Sequence, residues 1–307
     1  MLAGANGGGD FGAAVALSAD PALSSYSDSK FLPVSSMRFA LGIEYDGSGF
    51  AGWQWQPEKR TIQASVEAAL SRVADEPVRV VCAGRTDAGV HATEQVVHFD
   101  TEVCRKPYSW LMGGNSELPD DVRLLWVREV PGDFHARYSA IARFYRYLIL
   151  NRPMKSALQR RQVTWHYAPL DVDAMQRGAQ YLLGEHDFSS FRAQDCQSKS
   201  PNRYMHFVRV AREGDRVLID LCANAFLHHM VRNIAGVLMD IGSGRQNPEW
   251  ARAVLDARDR KAGGVTAPAD GLYFAGICYP EQFGLARHPI FAHLPKDAAR
   301  YTPPHSE

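Results

Sequence analysis

No run of this 307-residue chain stays apolar long enough to span a bilayer, because every hydrophobic stretch is broken within a few residues. Cysteine is scarce. Cys82, Cys104, Cys196, Cys222 and Cys278 are widely spaced and form no C-x-x-C, which fits reduced thiols of the cytoplasm better than a disulfide framework or a zinc site. The phosphate loop G-x-x-x-x-G-K-[ST], the strand-following G-x-G-x-x-G, H-E-x-x-H and G-x-S-x-G are all missing. His228 and His229 in "HHMVRN" project about 100° apart if helical, so they are read as helix-edge hydrogen-bonding residues and not as a metal pair. Chemistry here is expected to use carboxylate, arginine, tyrosine and histidine, with no cofactor and no metal.

Net charge is also lacking: 34 basic residues face 34 acidic ones. The average conceals segregation. Between Phe134 and Leu170 there is no Asp or Glu, while Arg137, Arg143, Arg146, Arg152, Lys155, Arg160 and Arg161 fall inside. From Phe188 to Arg212, Arg192, Lys199, Arg203, Arg209 and Arg212 oppose only Asp195. Such clustering is the footprint of a polyanion-binding surface, or else a solvated face balanced in space by acids from elsewhere.

Large apolar residues are few in 1–36, a Gly/Ala/Ser-rich stretch expected to be a disordered leader, with Met37 as a candidate natural start. A loose tail is expected over 281–307, where prolines recur. Between them the pattern predicts strands at 37–47, 78–84, 94–102 and 122–130. A helix is expected over 61–76, with Ile62, Val66, Ala69, Leu70 and Val73 on one face, and a shorter one around 108–112. The order β-α-β-β-α-β then recurs. Strands are expected at 143–150, 205–213, 216–224 and 271–279, with helices after Asp171, through Leu227–Leu238 and from about Pro248. Two split β-α-β (ferredoxin-like) units imply an α+β fold with antiparallel sheets covered by helices, divided into domains at 37–133 and 134–280.

"CAGRTDAGVHA" (82–92) ends the second predicted strand on a glycine-bounded turn. Arg85 and Asp87, two residues apart in an extended segment, project to one side and could share a cleft. An ionised carboxylate on such a turn can act as a nucleophile, although an Asp in a Gly-rich turn is, taken singly, usually structural.

Together with "LGIEYDGSGFAGWQ", "DFHARYSAIARFYRYLI", "ANAFLHHMVRNIAG" and "DGLYFAGICY", this loop resembles the tRNA pseudouridine synthases of the TruA type, in the family's order from about Leu41 to Tyr279. The resemblance implies the pseudouridine synthase fold and the isomerisation of uridine to pseudouridine at positions 38, 39 and 40 of the tRNA anticodon stem-loop. It implies a homodimer, tRNA as partner, no cofactor and no membrane. By motif position Asp87 is the catalytic carboxylate; attack at ribose C1′, attack at uracil C6 and assistance of an elimination all stay open. Arg85 would hold the flipped base out or fill its place, and Tyr145 would lie against the uracil. Arg232 would pair with Asp87, and Leu272 would floor the base. Base flipping is required because a stacked base is out of the carboxylate's reach. The family commonly has a basic residue where this chain has Trp55, and often an aromatic one in place of Asn202. An RNA-binding protein without catalysis would not need the set Arg85, Asp87, Tyr145 and Arg232. A nucleosidase acting on small substrates would not need two long basic stretches.

Overall fold

The computed structural model describes residues 36–294 together with Ala298, so the expected leader and the end of the expected tail lie outside the described residues. The first half runs β1 (Met37–Tyr45), α1 (Ile62–Ala74), β2 (Val81–Cys82), β3 (His91–Thr101), α2 (Pro107–Glu117) and β4 (Val122–Val130). The second runs β5 (Ala142–Asn151), β6 (Thr164–His166), α3 (Val172–Gln180), β7 (Gly184–Asp187), β8 (Asn202–Glu213), β9 (Arg216–Ala223), α4 (Met230–Gly242), α5 (Trp250–Ala257) and β10 (Leu272–Cys278). The fold is α+β, as the pattern predicts.

Helix ends follow local chemistry. Thr61 caps α1 by accepting from the Ala64 amide, and Asp171 Oδ1 caps α3 by accepting from Ala174 N at 2.9 Å. Pro107, with no amide hydrogen to satisfy, opens α2. Buried Ile62, Val66, Ala69 and Leu70 form the apolar stripe of α1.

The strands form one sheet in the order β4-β1-β3-β10-β5-β9-β8-β7, with β2 paired to β3 and β6 to β5. It is mostly antiparallel, but β10 runs parallel to β3 while pairing antiparallel with β5. The last strand therefore joins the two repeats in one continuous sheet. Tyr145, Tyr147 and Ile149 of β5 belong to the large core cluster with the apolar stripes of α1, α3 and α4, whereas Phe144 faces the other way into a smaller cluster.

Two expectations need amending. Only Val81 and Cys82 of the segment 78–84 are regular strand. The amides of Val78 and Val80 are taken by side chains of α1, Ser71 Oγ at 2.9 Å and Glu67 Oε1 at 3.1 Å, instead of by a neighbouring strand. The segment after Pro280 is packed, not loose, as far as Leu294. Phe291 and Leu294 bury against Ala142, Phe144 and Cys222, covering apolar surface that the helices leave bare.

Candidate functional site

The loop between β2 and β3 is pinned at successive positions. The Ala83 amide donates to Val96 O at 2.8 Å, and Gln95 Nε2 donates to Gly84 O at 2.6 Å. Buried Thr86 shares a 2.8 Å hydrogen bond with Tyr45 Oη, and its carbonyl accepts from Trp53 N at 3.0 Å. With Thr86 turned inward, Arg85 and Asp87 turn outward, the alternation expected of extended backbone. Arg85 is exposed, and among the described residues it makes no ion pair with Asp87. Gly89, at φ +80°, turns the chain into β3.

Asp87 pairs across the molecule instead. Arg232 Nη1 donates to its Oδ2 at 3.1 Å, while Arg232 Nε donates to Ala267 O at 2.8 Å. His228 Nε2 lies 3.1 Å from Asp87 Oδ1, and His229 Nε2 lies 3.4 Å from Oδ2. The histidines thus belong to the site, which the helix-edge reading missed. The helix begins only at Met230, and His229 sits before it at φ +61°, so helical angles do not govern the pair. The signal that was available was the adjacency of "HH" to Arg232 in one short segment. On its outer side, His228 Nδ1 faces Asp195 Oδ1 at 3.0 Å. The His228 imidazole holds the Asp195 carboxyl below its ordinary range, and burial pulls His229 below the usual histidine value.

Beneath the loop lies Tyr145 of β5. It stacks on Phe274 of β10 at 4.7 Å and 21°, and meets Phe226 edge-on at 4.9 Å. Burial raises its hydroxyl far above the usual tyrosine range, and the charge of Asp87 pushes the same way, so it is a neutral phenol at every physiological pH. The same burial pushes the thiol of Cys82 up to about 12 and leaves it unreactive. Leu272 is 5% exposed at the head of β10, on the same core side as Phe274. The structure therefore joins Asp87 to Arg232 directly, with Tyr145 under the loop. Arg85 stands beside Asp87 in the loop, and Leu272 sits in the core of the adjacent strand.

Asp87, His228 and His229 offer ligand atoms within 4.8 Å of one another, a spacing a divalent ion could bridge. Arg232 already places a fixed positive charge on Oδ2, which competes with any cation there. The donor set suits a positioned carboxylate: one oxygen held by guanidinium and imidazole, the other by an imidazole alone.

The basic stretches are less uniform than their sequence implied. Arg143 is buried and donates to the carbonyls of Ala140, Asn224 and Arg137, and Arg146 pairs with Asp220 at 2.7 Å. Arg203 is buried too. Arg137, Lys155, Arg160, Arg161 and Lys199 stay exposed. Trp55, where the family commonly has a basic residue, is 53% exposed, and Asn202 is exposed at the start of β8.

A family profile described as tRNA pseudouridine synthase matches residues 42–139 and 179–280, which include the loop of Asp87, the segment of His228 and Arg232, and β10. This chain belongs to the tRNA pseudouridine synthase family. It is 70% identical over 267 residues to the tRNA pseudouridine synthase A of Methylococcus capsulatus, covering 87% of this chain and 98% of that protein. The protein of that name from Nitrosococcus oceani is 59% identical over 251 residues, 82% of this chain and 97% of its own. The one from Coxiella burnetii is 55% identical over 253 residues, with the same coverage.

Proposed function

We propose that this chain isomerises uridine to pseudouridine in the anticodon stem-loop of tRNA, at positions 38, 39 and 40. The observation that carries the reading is the Asp87 carboxylate, fixed at 3.1 Å by Arg232 on a loop pinned to the sheet, in a chain 70% identical to a tRNA pseudouridine synthase A. In the reaction the C1′–N1 bond breaks, a C1′–C5 bond forms, C5 loses its proton and N1 gains one, so no redox partner is consumed. Asp87 carries the detached-base state. Arg85 reaches into the stack to hold the base out, Tyr145 packs against the uracil, Arg232 orients the carboxylate, and Leu272 supplies an apolar floor. Stacking of a base on an aromatic ring is worth about 1–3 kcal/mol, enough to favour the flipped state.

Exposed Arg137, Lys155, Arg160, Arg161 and Lys199 are the proposed phosphate contacts. The halves 37–133 and 134–280 act as two domains that flank the cleft. A second copy of the chain completes the tRNA-binding surface in a homodimer. Its support is the family resemblance. The place of action is the cytoplasm, in keeping with five widely spaced cysteines that form no C-x-x-C.

The test is release of tritium from tRNA labelled at uracil C5. Wild-type protein should release label and form pseudouridine, and Asp87→Asn should lose at least about 10³-fold in rate while still binding tRNA. A wild-type protein that leaves every tRNA unchanged overturns the reading, and free uracil as product would make the chain a nucleosidase.

A further inference from the structure

The two oxygens of Asp87 are held differently. Oδ2 faces the permanent cation of Arg232 at 3.1 Å and the ring of His229 at 3.4 Å. Oδ1 lies 3.1 Å from His228 Nε2. The far nitrogen of the same ring meets Asp195 Oδ1 at 3.0 Å, so one imidazole bridges two carboxylates from different loops.

That bridge has a proton count. An ionised carboxylate only accepts, so the hydrogen in the contact with Asp195 sits on His228 Nδ1. The opposite ring nitrogen, Nε2, then stands 3.1 Å from Oδ1 of Asp87.

The backbone is arranged to keep this geometry. The His228 carbonyl accepts from Ala193 N at 3.0 Å, which ties the loop carrying Asp195 to the histidine. Arg192 Nη2 closes that loop by donating to Cys196 O at 3.0 Å. His229 takes a positive φ that a non-glycine residue rarely adopts, just where the chain turns from the loop into α4. Stability does not explain the bridge, because the side chain of Asp195 is 76% exposed and an exposed ion pair contributes little.

We infer that Asp195 and His228 are positioning residues for the isomerisation: Asp195 fixes the ring of His228, and that ring, with Nε2 3.1 Å from Oδ1, holds the Asp87 carboxylate in the orientation that meets the substrate. The inference rests on the function proposed above. Four charged or titratable groups meet in the relay or beside it: Asp87 from the β2–β3 loop, Asp195 from the loop before β8, and His229 and Arg232 at the start of α4.

The experiment uses the full chain with transcribed tRNA and measures kcat and KM separately. Asp195→Asn, a change on an exposed side chain, should lower kcat by about 10-fold with KM little altered, in line with the loss of a residue that orients a reacting group. His228→Gln should cost on the order of 100-fold in kcat, again with KM little altered. A wild-type kcat in Asp195→Asn overturns the inference, as does a change confined to KM, which would make these residues RNA contacts. Inactive wild-type protein would instead defeat the function on which the inference rests, and the two failures are distinguishable in the same assay.

Discussion

Arg232 and Asp87 lie 145 positions apart in sequence, and their side chains meet at 3.1 Å. The guanidinium is itself anchored, since Arg232 Nε donates to Ala267 O while Ala267 N returns a bond to Arg232 O at 3.1 Å. One planar fork thus joins α4, the segment before β10 and the β2–β3 loop. A lysine has a single nitrogen at its end and cannot reproduce both contacts. Arg232→Ala should lower kcat by on the order of 100-fold by leaving the mostly buried carboxylate without its fixed cation. Arg232→Lys should recover only part of that loss. Single-turnover tritium release compares the two, and equal rates for Lys and wild type would show that charge alone is needed.

Gly52 is a remote determinant of the same geometry. It adopts φ +93°, and a Cβ there would stand 2.8 Å from Thr86 O and 3.1 Å from Ala88 N, on either side of Asp87. The next residue, Trp53, donates its amide to that same Thr86 carbonyl. Gly52→Ala therefore has to shift the loop of Asp87 as well as strain its own backbone. We expect a loss of about 1–3 kcal/mol in stability by urea denaturation, accompanied by a fall in kcat larger than any change in tRNA affinity. Unchanged kcat in a folded variant would show that the loop tolerates displacement.

The two repeats were legible because their apolar residues keep a strict period, as at Ile62, Val66, Ala69 and Leu70 of α1. The loop of Asp87 was legible as a strand-ending turn, and the resemblance gave it a chemical meaning. Pairings set by tertiary structure were not legible. Nothing in its own sequence says that β10 inserts between β3 and β5, because a buried strand reads alike at either place. His228 and His229 do lie at the helix edge and His228 does hydrogen-bond, but their closeness to Asp87 was not legible, because helical angles do not apply to residues that precede the helix. Arg143 and Arg146 looked like free surface charge, since the Asn224 carbonyl and Asp220 that receive them lie more than seventy residues away.

Tyr145 separates packing from chemistry. Its ring stacks on Phe274, so Tyr145→Phe keeps the aromatic contact and should leave Tm nearly unchanged. Tyr145→Ala removes the ring from a buried site and should cost about 3–5 kcal/mol. If the hydroxyl takes part in handling the C5 proton, Tyr145→Phe will bind tRNA normally and release tritium at least about 10-fold more slowly. Equal release by Phe and Tyr would confine the residue to stacking.

His98 should make the fold acid-sensitive. It is 4% exposed on β3, and its Nδ1 accepts from the Ala136 amide at 3.1 Å, a bond that protonation of Nδ1 destroys. Burial lowers it from the ordinary 6.5 to about 4, with the neighbouring His135 and Arg38 acting in the same direction and Asp100 against them. In the unfolded chain it takes up its proton near 6.5, so between about 6.5 and 4 the unfolded state binds more protons than the native state. The stabilisation is complete above 6.5, declines as pH falls through that window and levels off below it. Each pH unit of the window is worth about 1.4 kcal/mol at most, and His206, also lowered to about 4 by burial, adds to the same trend. Thermal denaturation of wild type should show Tm falling from pH 7 to pH 4.5. In His98→Asn, whose side-chain oxygen can accept from Ala136 without titrating, the fall should be shallower. An equal slope in both proteins would mean that His98 takes up its proton in the native state without penalty, and that its burial does not govern the acid response.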